Sequence, residues 1–385
     1  MLANASILIN DGKIVAITQD EIDEPDVIEI DARGNFVSPG FIDIHVHGGG
    51  GSDFMDNTVE AFLQIAKTHA RYGTTSMVPT TLTSELEELY QTLACYDQAN
   101  QINVDGAQFL GMHLEGPYFS VNQRGAQDER FIRNPNPVEY KEILRRSNAI
   151  VRWSAAPELE GAIQFAKFLR QKGILVALAH TDAIYEEVLE GFENGYTLAT
   201  HLYSGMSGVT RRNAFRYAGA VESAFIIDDM DVEIIADGIH LPAPLLKLVH
   251  KIKGAGKIAL ITDAMRAAGM PEGESVLGNY HSGLRVIVED GVAKLPDRSA
   301  FAGSVATANL LVRNMINMAG VNLMEAVEMI TATPARIMGV SDQKGSLVVG
   351  KDADIIIFDK DINIDTTIVA GRVVYNASLK EVLTS

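Results

Sequence analysis

The distribution of apolar and polar positions separates a long central region of the chain from its two ends. Between about residues 38 and 341, short apolar runs alternate with stretches in which apolar residues recur every three or four positions. The first pattern is typical of buried strands and the second of amphipathic helices. Eight strands are predicted, each followed by a helical stretch: one through His45, then 75–79, 109–114, 150–155, 175–179, 197–200, 232–236 and 258–261. This order predicts an α/β fold, a (β/α)8 TIM-like barrel.

The two ends of the chain have a different pattern, with short strand-like segments separated by turn residues. Segments at 6–9, 13–17 and 27–30 precede the central region, and segments at 353–358 and 367–375 follow it. A few strands at either end are too few to bury an apolar face alone. We therefore expect residues 1–37 and 342–385 to pair in one small β-sandwich, with the barrel of residues 38–341 inserted between them.

Composition restricts the class of partner. With 385 residues and 47% apolar positions the chain can bury a large core. The 50 acidic residues exceed the 32 basic ones, and this net charge of −18 disfavours nucleic acid or an anionic membrane as a partner. No segment reaches the roughly 18 apolar residues of a membrane span. The single cysteine, Cys95, fits a reducing compartment, and we predict the cytoplasm.

Two histidines stand on the first barrel strand. Asp43, His45 and His47 alternate with apolar residues, so both imidazoles point to the same face. Four glycines at 48–51 follow, where the backbone can approach a ligand closely. The pair alone fits two hydrogen-bonded core histidines as well as half of a metal site.

The ends of the later strands carry further polar residues that favour a metal site. The carboxyl ends of barrel strands gather at one face, where reactive groups are expected. His113 shares a strand face with Glu115 but lies one layer deeper, so we expect it to support a ligand or to fill the barrel. The residues at the strand ends are His45, His47, Glu115, His180, His201, His240 and Asp263.

Four histidines and two carboxylates are a suitable ligand set for one or two divalent ions. We expect Glu115, His180, His201, His45, His47 and Asp263 to bind zinc, with iron, cobalt or manganese as alternatives. Such an ion lowers the pKa of bound water to about 7 and polarises a carbonyl. Glu115 can bridge two ions, and Asp263 on the last strand is the better acid/base. For each carboxylate alone, the alternative is a helix cap or turn acceptor.

The succession of motifs resembles that of the N-acetylglucosamine-6-phosphate deacetylases of the amidohydrolase superfamily. The resemblance runs in order over essentially the whole chain, and HLEGP with ADGIH is its most specific part. The motifs are GFIDIHVHG at 40–48, HLEGP at 113–117, AHT at 179–181, THLY at 200–203, ADGIH at 236–240, TDA at 262–264 and AGS at 302–304.

The resemblance implies roles for individual residues. Glu115, His180 and His201 match the main metal ligands, and His45 with His47 match the second-metal ligands of members that bind two ions. Asp263 matches the catalytic acid/base, and the resemblance implies a homodimer that hydrolyses the acetamide of N-acetylglucosamine 6-phosphate to glucosamine 6-phosphate and acetate. Implied substrate contacts are Ala126, Gln127, Ser204, Gly205, Arg212, Asp237, His240 and the loop Phe301, Ala302 and Gly303. Gln127 is expected to donate to the acetyl carbonyl, and Arg212 to meet the phosphate.

The segment 204–217 departs from the family pattern. Ser204 and Gly205 replace the usual Asn-Ala, and 211–217 replaces the commoner Arg-Glu-Pro-Gly. Three arginines, Arg211, Arg212 and Arg216, still favour an anion, with an exposed basic loop as the alternative.

Two other functions remain open from the sequence. A cyclic-amide hydrolase or deaminase of the same fold is the first, but cyclic-amide members usually place a carboxylated lysine where this chain has Glu115. The second is a scaffold without a metal, which is disfavoured because all six ligands are present.

Overall fold

The computed structural model describes residues 2–25 and 27–378 and contains helices packed around a central parallel sheet. Among the described residues no helix is both long and apolar enough to span a membrane. The strands are β1 (Ser6–Asn10), β2 (Lys13–Thr18), β3 (Phe36–Pro39), β4 (Phe41–Val46), β5 (Gly48–Gly49), β6 (Ser52–Asp53), β7 (Thr74–Thr81), β8 (Gln108–Phe109), β9 (Met112–Glu115), β10 (Ile150–Ala155), β11 (Leu175–Leu178), β12 (Tyr196–Ala199), β13 (Thr210–Arg212), β14 (Phe215–Tyr217), β15 (Asp231–Ile234), β16 (Ile258–Leu260), β17 (Gly273–Leu277), β18 (Leu284–Glu289), β19 (Val292–Lys294), β20 (Phe301–Ser304), β21 (Ile355–Phe358), β22 (Ile364–Val369) and β23 (Arg372–Asn376).

The helices are α1 (Val59–Ala70), α2 (Leu86–Ile102), α3 (Pro137–Arg146), α4 (Ala162–Gln171), α5 (Tyr185–Glu193), α6 (Ala220–Ile226), α7 (Ala243–Lys253), α8 (Ala308–Asn314), α9 (Leu323–Glu328) and α10 (Ala332–Ile337). A π-helical turn, Met315–Ala319, continues α8. Short 3₁₀ turns lie at Phe54–Asp56, Val121–Gln123, Glu129–Phe131 and Ala255–Lys257.

Eight parallel strands form the barrel in the order β4-β7-β9-β10-β11-β12-β15-β16. The two end strands meet through the residues that follow β16. Asp263 N–H donates to the His45 carbonyl over 2.9 Å, and His47 N–H donates to the Ala264 carbonyl over 2.9 Å. The predicted (β/α)8 barrel is confirmed, and this seam brings the first and last ligand-bearing strands side by side.

The helices cover the barrel through the apolar faces that the sequence predicts. In α1, the Thr58 side chain accepts the Ala61 N–H over 3.1 Å at the helix start. Phe62 and Ile65 are completely buried in the main core cluster, which joins strands to helices. A smaller apolar cluster packs β4, β7, β11, β12 and β16 against α10. The strand ends are therefore held by a rigid scaffold.

The two ends of the chain share one antiparallel sheet in the order β23-β22-β21-β3. Ile14 of the β1–β2 hairpin packs with Ile355 and Ile368 of this sheet. Lys13 Nζ pairs with Asp352 over 2.6 Å. The terminal segments thus pair as expected, while the domain boundaries at 37/38 and 341/342 stay a prediction.

Two element predictions were wrong. Residues 27–30 form no regular strand. The apolar periodicity over 323–338 predicts one helix, but the structure divides this segment into α9 and α10, with Thr331 in a non-helical conformation between them. Pro334 has no N–H to donate to residue 330 and would clash with its carbonyl, so the helix restarts with proline in its first turn.

Three elements were not foreseen: helix α6, the β13–β14 hairpin and a four-stranded antiparallel sheet in the order β17-β18-β19-β20. The sheet buries Leu277, Val286 and Val288 against the segment that follows Asp263. Arg266 fixes it, since its guanidinium pairs with Asp56 over 2.6 Å and donates to the Gly278 carbonyl over 2.7 Å. The inserted sheet therefore belongs to the wall of the site.

Candidate metal centre and active site

The carboxyl ends of five barrel strands bring the predicted ligands together. Each of these residues is at least nine-tenths buried. His45 lies on β4 with His47 immediately after it, Glu115 ends β9, His180 and His201 follow β11 and β12, and Asp263 follows β16.

Glu115 lies at the centre of this cluster. Its Oε1 is 3.0 Å from His201 Nε2, 3.4 Å from His180 Nε2 and 3.5 Å from His45 Nε2. Its Oε2 is 3.4 Å from His47 Nε2. One carboxylate thus contacts four imidazoles, which is the arrangement expected of a bridging ligand.

Asp263 completes the other side of the cluster. Its Oδ1 is 3.2 Å from His47 Nε2 and 3.4 Å from His45 Nε2, and the two imidazole nitrogens are 3.2 Å apart. Ser304 N–H donates to the Asp263 carbonyl over 3.0 Å. The end of β20 therefore fixes the backbone that carries the carboxylate.

Three ligand residues adopt a left-handed backbone. The φ angles are +45° at His180, +32° at His201 and +47° at Asp263. Residues with a Cβ rarely adopt this region, which costs about 1–3 kcal/mol per residue and clusters at functional sites. The surrounding fold therefore holds these strand ends in strained conformations.

The electrostatics of the cluster favour ionised carboxylates. Burial acts to raise the pKa of Glu115, but the neighbouring histidines outweigh it and hold this pKa well below its usual range. Burial likewise acts to raise the pKa of Asp263, and His45 and His47 lower it below the ordinary value. Burial acts to lower the pKa of His47, but Asp263 and Glu115 raise it to about 10. Both carboxylates therefore attract positive charge between them.

The donor set fits a divalent cation. Ligand atoms of His45, His47 and Asp263 lie within 4.8 Å of one another, and so do those of His45, Glu115 and His201. A proton on His47 neutralises only part of the negative charge of the two carboxylates. A divalent cation would neutralise more of it, and the nitrogen and oxygen donors of this cluster suit zinc or iron. Because ligands must lose their protons, cation binding would release that proton.

Backbone carbonyls orient the imidazoles of His180 and His201. The carbonyl of Gln123 is 2.7 Å from His180 Nδ1, and that of Ser204 is 3.1 Å from His201 Nδ1. A carbonyl accepting from Nδ1 directs the Nε2 lone pair towards Glu115. Ser204 therefore contributes through its backbone, which the sequence does not reveal.

Gln127 supports Glu115. Its side-chain N–H donates to Glu115 Oε2 over 2.8 Å, and its carbonyl oxygen accepts from Thr83 N–H and Oγ1 over 2.9 and 2.6 Å. The expected donation to the acetyl carbonyl depends on the second N–H of this amide and stays a prediction. Ala126 packs beside it against the cluster that contains Ala302.

His240 lies beside the inserted sheet. Asp237 Oδ2 is 2.6 Å from His240 Nδ1, and Asp237 Oδ1 accepts the His240 backbone N–H over 2.8 Å. The ring of Phe301 lies over His240 with centroids 4.8 Å apart, and Gly303 approaches Met265. Arg212 lies on β13, but its side chain is outside the described residues, so its predicted phosphate contact stays a prediction.

Gly205 has no room for a side chain. Its φ is +58°, and an added Cβ would lie 2.7 Å from His180 Nδ1 and 3.0 Å from the Gln123 carbonyl. We expect Gly205→Ala to disturb the bond that orients His180 and to weaken zinc binding about 10- to 100-fold, as loss of an outer partner does. Competition with a chromophoric chelator measures this affinity.

Gly339→Ala is the matched control for that substitution. Gly339 has a similar φ of +70° and no atom within 4 Å of an added Cβ. The variant should lose only roughly 1–2 kcal/mol of folding stability, the cost of alanine in a left-handed conformation, and keep its zinc affinity. Equal zinc affinity in both variants would mean that contact with His180 is irrelevant.

Several known proteins are similar to this chain over most of their length. A 36% identical relative is N-acetylglucosamine-6-phosphate deacetylase of Vibrio furnissii, matched over 341 residues, 88% of this chain and 83% of the relative. N-acetylgalactosamine-6-phosphate deacetylase of Escherichia coli O157:H7 is 34% identical over 96% of this chain and 95% of the relative. The crystal structure of N-acetylglucosamine-6-phosphate deacetylase from Pasteurella multocida superposes with a TM-score of 0.89 at 30% identity, covering 97% of this chain and 95% of that one.

A (β/α)8 barrel with buried histidines and carboxylates at its strand ends defines a metal-dependent hydrolase. The chain belongs to the amidohydrolase family, whose model matches residues 36–374. Its relatives within this family include N-acetylglucosamine-6-phosphate deacetylases and an N-acetylgalactosamine-6-phosphate deacetylase.

Proposed function

We propose that the chain hydrolyses the acetamide of N-acetylglucosamine 6-phosphate to glucosamine 6-phosphate and acetate. The observation that carries the proposal is the position of Asp263, whose Oδ1 lies 3.2 and 3.4 Å from two histidines of the buried candidate metal centre. The names and full-length similarity of the relatives support the choice of substrate.

His45, His47, Glu115, His180, His201 and Asp263 would hold the metal. A divalent ion bound there supplies Lewis acidity to the acyl carbonyl and to the attacking water. Asp263 accepts the proton of that water, because its lowered pKa keeps it ionised at neutral pH. It then passes the proton to the departing amine nitrogen, so that one water yields acetate and a free amine.

Binding of the sugar is assigned to the side of the site formed by His240 and Phe301. Asp237 Oδ2 lies 2.6 Å from His240 Nδ1, which leaves Nε2 free to form a hydrogen bond with a sugar hydroxyl. Phe301 is 42% exposed and offers an apolar face to a sugar ring. This assignment is supported by the contact between the two rings, at 4.8 Å.

The phosphate is assigned to the β13–β14 hairpin. Arg211 and Arg216 are exposed and lie directly opposite each other in its register. Like charges opposite each other destabilise a hairpin, and a bound anion would offset that repulsion.

Three finer assignments complete the proposal. Zinc is the preferred ion because four imidazoles and carboxylates are its usual ligands. A homodimer is supported by the hairpin, where Val209 and Phe215 are 60% and 73% exposed. The half-buried Cys95 thiol fits the cytoplasm.

Acetate release from four sugars tests the substrate. After zinc reconstitution we expect kcat/KM for N-acetylglucosamine 6-phosphate to exceed that for the unphosphorylated sugar about 100-fold, since two charge-assisted hydrogen bonds contribute roughly 3 kcal/mol. The 4-epimer pair, N-acetylgalactosamine with and without phosphate, is measured alongside.

The outcomes separate the alternatives. A higher kcat/KM for N-acetylgalactosamine 6-phosphate would change the assignment to the activity named for the Escherichia coli relative, N-acetylgalactosamine-6-phosphate deacetylase. Turnover of a cyclic amide or nucleobase well above that of either sugar phosphate would overturn the proposal. Inactive protein with a full zinc complement would contradict it as well.

A further inference from the structure

A buried ion pair lies inside the barrel beside the metal ligands. Arg152 on β10 and Glu233 on β15 both have completely buried side chains. Arg152 Nη2 donates to Glu233 Oε2 over 3.0 Å, and Nη1 donates to Glu233 Oε1. Because β11 and β12 stand between these two strands, the pair reaches across the barrel interior.

Further contacts hold the guanidinium in place. Arg152 Nη1 donates to the Ile44 carbonyl over 3.0 Å, one residue before His45. Its Nη2 donates to Thr200 Oγ1 over 2.9 Å, one residue before His201. Arg152 is therefore fastened to the two strands that carry these ligands.

Glu233 contacts the ligand residues themselves. Its Oε2 is 3.4 Å from His45 Nδ1 and 3.4 Å from the backbone N–H of His201. His45 Nε2, on the opposite side of the ring, faces Glu115 and Asp263. An acceptor at Nδ1 keeps the proton there and leaves Nε2 free to bind a cation.

Stability alone does not account for this pair. Buried ion pairs are often replaced by apolar residues without loss of stability, because both charges must be desolvated. Arg152 Nε is in addition buried without a hydrogen-bond partner, which carries a further cost. The arrangement therefore points to a role in the site above it.

We propose that Glu233, held by Arg152, is a positioning residue for the metal centre. It fixes the ring orientation and the tautomer of His45 and thereby sets the affinity of the half-site formed by His45, His47 and Asp263. The proposal rests on the metal dependence of the proposed function, and it is independent of the substrate.

Replacing both charges with apolar residues of similar size tests the role. In the variant Arg152→Met with Glu233→Leu we expect zinc affinity about 10- to 100-fold weaker than in the natural protein. The thermal midpoint of the chelator-treated protein should be unchanged or higher. Chelator competition and metal content at fixed free zinc are the measurements. They need no substrate, so their failure is distinct from failure of the proposed function.

Two further variants test whether zinc affinity is lost because His45 lacks a hydrogen-bond acceptor, and not because charge or folding stability has changed. Arg152→Met with Glu233→Gln keeps an acceptor for His45 Nδ1–H, so most of the zinc affinity should return. The pair Arg336–Asp231, 2.6 Å apart with Asp231 also on β15, is the matched control. Arg336→Met with Asp231→Leu should alter stability and leave zinc affinity unchanged.

The tautomer of His45 can be measured in the natural protein. Long-range ¹H–¹⁵N spectra of histidine-labelled, chelator-treated protein should show the proton on Nδ1, with His45 assigned from its loss in His45→Asn. A proton on Nε2 would overturn the proposal even if no variant folds. Unchanged zinc affinity in a folded Met/Leu variant, or equal losses in the Arg336 control, would overturn it too.

Discussion

Asp263→Asn is expected to reduce kcat about 10⁴-fold while the protein keeps its metal. General acid–base catalysis contributes roughly 10²–10⁴-fold, and in the proposed mechanism one carboxylate both accepts the proton of water and delivers it to the amine. The amide oxygen can still approach His45 and His47, while Glu115 and the other histidines remain. Steady-state acetate release and metal analysis of the same sample measure the two quantities.

Asp11→Asn is the matched control for this substitution. Asp11 has the same φ, +47°, but is exposed in the turn between β1 and β2. Asparagine tolerates left-handed backbone, so neither variant should suffer extra strain. Near-normal turnover in Asp263→Asn would remove Asp263 from the mechanism, and loss of most of the zinc would make it chiefly a ligand.

Glu115→Gln is expected to abolish both zinc binding and activity. The substitution keeps the shape of the side chain but removes the charge that attracts a cation and contacts four histidines. Loss of a residue that hydrogen-bonds to a metal ligand weakens metal binding about 10- to 100-fold. Loss of a central ligand should therefore weaken zinc binding by more than about 100-fold. Metal content after reconstitution at fixed free zinc, followed by acetate release, measures the effect.

Glu139→Gln provides the comparison for this second variant. Glu139 is a partly buried carboxylate that pairs with Arg133 over 3.0 Å, but it lies on α3 away from the cluster. Its zinc content should match that of the natural protein. A normal zinc complement in Glu115→Gln would refute the central position of Glu115.

The barrel and the clustering of the candidate ligands could be predicted from the sequence because both depend on local pattern. An apolar run of four to six residues followed by a histidine or acid marks the end of a parallel strand, and strand ends meet at one face. The structure does bring His180, His201 and Asp263 together at that face, although they are far apart along the chain.

The supporting contacts could not be predicted, since they depend on the radial arrangement of strands. Arg152 and Glu233 interrupt apolar strands, which signals a charged interior, but their pairing appears only once β10 and β15 face each other. The Gln123 and Ser204 carbonyls bear no side-chain signal at all. The inserted sheet did leave a signal, the run of β-branched residues Val286, Ile287 and Val288, which is typical of a strand.

The left-handed backbone at His180, His201 and Asp263 has a consequence for the evolution of heat resistance in this chain. Glycine or asparagine at any of these positions would relax the backbone but remove a side chain that the proposed reaction needs. Substitutions that raise stability here would therefore lower activity. A lineage selected only to survive high temperature should discard these three side chains early. Heat-stable descendants of such an enzyme would then keep the barrel fold but lack catalytic activity.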